Sequence, residues 1–202
     1  MAFPHRYRLP VLVAALLFCV LFAAPALASL PYYNRDLGYT IWLGDGWSVA
    51  ENARLERFAL VEDGLDALAA GWEAGYVLNG SDSVCLLVSK LSGRVVSRNA
   101  ISEFNRHVVR QLQRDTGRSR GWRAESPVHL RRANYDSDKA VLRLEMDATG
   151  QNGRPVSAVV YIVYTRGGML KFLGLTEKGD AAGLRAIDKA VSTLYLDQGL
   201  SQ

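Results

Sequence analysis

Residues 156–176 read VSAVVYIVYTRGGMLKFLGLT, and this stretch decides the fold. Gly167-Gly168 stands between two apolar runs. Two glycines there predict a tight primed hairpin, whose central positions need positive φ. In the first run Ala158, Val160, Ile162 and Tyr164 alternate with Val159, Tyr161 and Val163, so both alternating sets are apolar or aromatic. A strand of this kind lies inside a sheet with something packed on each face. The pattern predicts strands over Val156–Arg166 and Met169–Thr176.

Working outward, Val128–Tyr135 and Ala140–Thr149 read as two further strands, joined through Asp136-Ser137-Asp138 and leading on through Gly150–Gly153. Ala140, Leu142, Leu144, Met146 and Ala148 share one face, while Arg143, Glu145 and Asp147 mark the other as wet. Ala100–Thr116 reads as a helix with Asn99 as N-cap, because Ile101, Phe104, Val108 and Leu112 draw one apolar stripe. A last helix starts after Asp180 and runs to about Leu196, with Leu184, Ile187, Val191 and Leu194 inward. Near the front, Tyr39–Leu43 is a strand closed by Gly44-Asp45-Gly46, with Trp47–Val49 continuing extended. Ser83–Leu91 is another strand, Phe58–Val61 fits a short one, and Leu65, Leu68, Ala69 and Trp72 fall at helical spacing. The fold class is α+β: an antiparallel β-sheet meander sandwiched by helices. Leu144, Val160, Ile162, Phe172, Leu184, Ile187 and Leu194 are expected in its core.

Residues 1–28 have the three parts of a cleavable export signal: Arg6 and Arg8 first, an apolar run over Val11–Ala24, then Pro25-Ala26-Leu27-Ala28 before Ser29. The run is shorter than the roughly 18–20 residues that span a bilayer. Cleavage would leave residues 29–202 as one domain, periplasmic or secreted, with no stable membrane span. It would also lower the formal charge from +4 to +2, which makes no case for nucleic acid. Cys19 leaves with the signal, so Cys85, in the apolar run Val84–Val88, has no partner for an internal disulfide and is expected as a buried, inert thiol.

Two stretches carry a family resemblance. Gly38-Tyr39-Thr40-Ile41-Trp42-Leu43 followed by Gly46-Trp47 resembles the opening strand and turn of PsbP-like and DcrB-like proteins, although Gly44 and Asp45 stand where that family usually has a proline. The aromatic hairpin Val159–Leu175, leading into a helix with Ile187, Val191, Leu194 and Tyr195, is similar to the family's end. The resemblance implies an α/β/α sandwich and a non-catalytic binding or assembly role. Fold alone does not carry function.

No constellation of residues forces a reaction. His107 and His129 neighbour no nucleophile in sequence, no Gly-x-Ser-x-Gly elbow occurs, and two histidines with one cysteine lack zinc spacing. No catalytic residue, cofactor or metal is therefore expected. Asn134, Asp136 and Asp138 alternate as the opening of a calcium loop does, but without its glycine and closing glutamate they read as a turn. Asn79-Gly80-Ser81, a glycosylation sequon by pattern, also reads as a turn. Trp42, Trp47, Trp72 and Trp122 could wall a pocket or pack in core and edges. Charge is the most informative feature. Residues 51–82 hold seven acids and two bases, whereas residues 94–132 hold ten arginines and three acids. Arg106, Arg110 and Arg114 recur four apart, opposite the helix's apolar stripe, and form a basic row. That row is either a solvated face or a surface for an anionic partner. Two functions follow: an exported binding or assembly module of the cell envelope, using this row or a rim of aromatics, or a periplasmic enzyme whose site assembles from dispersed residues.

Overall fold

The computed structural model of the protein describes residues 30–59, 71–80, 82–91, 95–118, 129–149 and 154–197. The expected export signal at 1–28, the helical spacing at 65–69, Ser81 of the sequon and Trp122 lie outside them. Among the described residues there are ten strands and three α-helices. The protein is α+β and its sheets are antiparallel.

The quoted hairpin forms β8 (Pro155–Thr165) and β9 (Gly168–Glu177), paired antiparallel from Val156↔Glu177 to Thr165↔Gly168. The turn between them is Arg166-Gly167, and of the two glycines only Gly168 takes a positive φ, +128°. The expectation of positive φ at both is corrected: the register slides by one residue, so Gly168 belongs to the strand. Upstream, β6 (His129–Asp136) and β7 (Val141–Thr149) extend the meander. The seven-stranded sheet has the order β3-β4-β5-β9-β8-β7-β6, with β3 at Trp47–Val49, β4 at Ala74–Leu78 and β5 at Val84–Leu91. The doubly apolar strand β8 and its hairpin partner β9 occupy its interior.

Each face of that sheet has its own core. Helix α2 (Ile101–Arg118) supplies Ile101, Phe104, Val108 and Leu112 to one face, where they meet Leu144, Met146, Val160, Ile162 and Leu173. Helix α3 (Ala181–Ser192) supplies Ile187, Ala190 and Val191 to the other, against Val159, Tyr161 and Phe172. All seven expected core residues belong to one of these cores, with Leu184 and Leu194 only partly buried.

Sequence periodicity did not show a second sheet. Strands β1 (Leu30–Asn34), β2 (Tyr39–Leu43) and β10 (Tyr195–Leu196) form a three-stranded sheet that shares the α3 face, through Tyr39 and Ile41. The turn at Gly44–Gly46 therefore passes the chain from one sheet to the other. Gly46 has φ +83° there, a conformation that favours glycine.

Several element boundaries differ from expectation. Phe58 lies in a helix, α1 (Asn52–Ala59), not a strand. Its first turn closes through Arg54 and Leu55 N–H groups onto Glu51 O, and Leu55 anchors it in the core. Asn99 is not the N-cap of α2. It sits inside a 3₁₀ turn, Arg98–Ala100, that feeds the helix directly. The last helix stops at Ser192 rather than Leu196. The Thr193 hydroxyl donates to Ala190 O at 2.6 Å and accepts from Trp42 N at 3.0 Å, which draws the chain into β10. Asp180 does cap that helix: its carboxylate accepts from the N–H of Gly183 (2.9 Å) and Ala182 (3.1 Å). Gly183, then the Thr176 hydroxyl, hold it below its ordinary pKa.

The face of β7 expected to be wet is half covered. Arg143 makes a bidentate pair with Asp188 of α3 (2.9 and 3.0 Å), Glu145 takes its remaining nitrogen, and the Tyr161 hydroxyl donates to the same Asp188. Burial disfavours the Arg143 charge, but these bonds outweigh it and raise the pKa above the ordinary value. This network pins α3 to the sheet.

Cys85 is fully buried in β5, and desolvation pushes its thiol pKa up to about 12. A thiol so placed is almost wholly protonated near neutral pH and shielded from reagents. Thiol labelling should therefore be slow in the native protein and fast in denaturant. Equal rates would show that β5 opens.

Candidate binding groove

Helix α2 lies with its apolar stripe against the sheet, so residues on its flank look across at the edge strand β6. An open groove of about 380 Å³ runs between them. Ser102, Asn105, Arg106, Val109 and Arg110 line it from the helix, and Asn134 and Tyr135 from β6. The spacing explains this set. Residues 102, 106 and 110 form one i, i+4 row on a helix and 105 and 109 the next, so the helix wall is polar except at Val109.

Arg106, Arg110 and Arg114 are all exposed on α2, as the spacing predicted. The structure divides the row. Arg106 and Arg110 border the groove, and Arg114 is not among its lining residues. Of the remaining basic stretch, Arg98, Arg131 and Arg132 are exposed as well, with Arg131 3.6 Å from Asp147.

The inner side of the groove is held by tyrosine. Tyr164 of β8 packs edge-on against Phe104 of α2 (6.1 Å) and Tyr135 of β6 (6.5 Å), tying the helix to the sheet edge. Its hydroxyl donates to Asn105 Oδ1. Asn105 is 6 % exposed, and its Nδ2 has no partner among the described residues. Burial, then the neighbouring Tyr135, raises the Tyr164 pKa, so this hydroxyl keeps its proton.

The other candidates are not brought together. His107 and His129 are exposed on α2 and β6, while Cys85 is buried. Asn134 lines the groove, but Asp136 turns back on its own loop, its Oδ1 accepting from the N–H groups of Asp138 (3.0 Å) and Lys139 (3.1 Å). That is the hydrogen bonding of an ordinary Asx turn. Among the described residues no group of three His, Cys, Asp or Glu side chains is placed to hold a metal ion. Trp72 packs on the α2 face, Trp47 on the opposite face, and Trp42 is exposed on the small sheet, so these three do not wall one pocket. Tyr33 and Tyr195 are exposed on the small sheet too, both in register with Thr40. Tyr33 gave no signal in sequence, and Tyr195 read as part of the last helix, because their strands are short and far apart in the chain.

Sequence reasoning also missed Lys171. It is 1 % exposed, at the centre of β9, with Nζ 4.3 Å from the Trp72 ring centroid and its backbone opposite Ser89. The signal was available: a lone cation among Met169, Leu173 and other apolar residues of an interior strand. Lysine beside serine suits nucleophilic catalysis, but both side chains are buried here.

The geometry defines a class: an antiparallel sheet with a helix packed on each face and an open, arginine-bordered groove along one edge. Solved structures of similar fold include the cyanobacterial PsbP, CyanoP, of Synechocystis, at 14 % identity and a TM-score of 0.48, covering 86 % of this chain and 95 % of that one. LpqN of Mycobacterium tuberculosis, described as involved in cell envelope biogenesis, is similar at 12 % identity and a TM-score of 0.43, covering 86 % and 90 %. A Bacteroides thetaiotaomicron protein is similar at 12 % identity and a TM-score of 0.46, covering 83 % of this chain, which spans 48 % of that one. The likeness is one of fold alone. No protein-family model and no curated protein sequence matches the chain.

Proposed function

We propose that the protein is an exported, non-catalytic binding module of the cell envelope that holds an anionic partner in the groove between α2 and β6. The observation carrying this reading is that Arg106 and Arg110 border one groove with Asn105, Asn134 and Ser102. Arginine stays protonated at every working pH, and amides do not titrate. Such a set holds an anion rather than moving protons. The export signal at 1–28 supports the address.

The test compares the exported protein, its intact mass expected to begin at Ser29, with an Arg106→Gln/Arg110→Gln variant in capture from envelope extract. Wild type should retain a partner that added salt releases, and the variant should lose it. The melting temperature should be unchanged or slightly raised, because like charges four apart on a helix repel by a few tenths of a kcal/mol. Equal capture by both forms would refute the role of the groove, and an exported protein retaining Val11–Ala24 would refute cleavage.

A further inference from the structure

We infer that the groove's ligand is a small amphipathic carboxylate, an acid group on a short apolar body; this rests on the reading above that the groove holds an anion. Three features of the groove converge on that chemistry. Arg106 and Arg110, one helical turn apart, border the same opening. A guanidinium meets both oxygens of a carboxylate in one plane, a fit that a point-charge cation lacks. Deeper in, Asn105 offers an amide nitrogen with no partner among the described residues, while its carbonyl oxygen is already engaged by Tyr164. An acceptor oxygen reaching that N–H from the groove would satisfy a buried donor otherwise left unpaired.

The third feature is apolar. Val109, Tyr135 and Leu142 share the lining with those donors. A wholly hydrophilic anion such as inorganic phosphate would leave this surface wet and gain nothing from it. An uncharged apolar molecule would displace water from two guanidinium groups without replacing its hydrogen bonds. Only a ligand with both parts uses both walls. The volume, about 380 Å³, lies at the small end of the range for small-molecule sites, so a body of about eight carbons suits it.

The probe is octanoate, titrated calorimetrically into the protein purified from the cell envelope. Octanoate should bind. Acetate (the head alone), octanol (the body alone) and inorganic phosphate should each bind at least about tenfold more weakly. Arg106→Gln/Arg110→Gln should weaken octanoate by about tenfold or more, and Arg110→Glu should abolish binding with an unchanged melting temperature. No octanoate binding up to about 10 mM, or equal binding by the double variant, overturns the inference. If envelope capture still depends on both arginines, the ligand class falls and the module reading stands. If neither experiment responds to them, both fall. Binding to phosphatidylglycerol vesicles without binding to octanoate would overturn it in favour of a lipid surface.

Discussion

Replacing Phe172 with alanine should lower the unfolding free energy by about 3–5 kcal/mol, the range for removing a large aromatic from a packed interior. Phe172 is fully buried at the middle of β9, with Val88 of β5 and Tyr161 of β8 as its cross-strand neighbours. Its ring also meets Tyr39 of the small sheet edge-on at 5.3 Å. The residue thus joins three strands of one sheet to the other sheet, and truncation leaves a void that none of these can close alone. Urea melts measure the loss. A change below about 1 kcal/mol would mean that the small sheet relaxes freely onto the large one, contrary to the packing described.

Gly174→Val should cost about 1–3 kcal/mol by overpacking. Gly174 lies two residues further along β9, where Ile187 of α3 packs against the sheet. A Cβ added there would meet Ile187 Cγ2 at 2.5 Å and Val159 Cγ1 at 2.9 Å. Neither neighbour is the free end of a flexible chain. Ile187 is fully buried on α3, and Val159 is fully buried in β8. Relief requires α3 to lift, which would strain the Arg143–Asp188 pair on the same helix. Gly174→Ala should show the same sign with a smaller loss. A neutral or stabilising valine in thermal melts would show that α3 does not rest on this glycine.

The two substitutions probe what was most legible in the chain. The double apolar alternation of β8 required cover on both faces, and α2 and α3 provide it. Asp180 announced the start of α3 by type and position, and its side chain does cap the helix. Legibility failed where a long-range partner decides the conformation. Residues 193–196 continue a helical pattern, yet hydrogen bonds between Thr193 and Trp42 end the helix and lead Tyr195 and Leu196 into β10. Phe58 suits a strand by residue type, but the burial of Leu55 sets the helix around it. Arg143 alternates as a solvent-facing residue, but Asp188, forty-five residues away, meets it across the α3 interface.

The candidate site divides in the same way. Local spacing determined that Arg106, Arg110 and Arg114 share one helix face opposite the apolar stripe, because 3.6 residues per turn sets that angle whatever the rest of the chain does. Spacing could not say what faces the row. Only the tertiary structure decided that α2 lies beside β6, so that Arg106 and Arg110 border a groove and Arg114 does not. It also decided that Asn105, by pattern one more polar residue on an amphipathic helix, is buried against Tyr164. The reason is physical. Helical and strand periodicities are properties of neighbouring residues, whereas a groove exists only between two surfaces, and here strand pairing across the whole sheet brings those surfaces together.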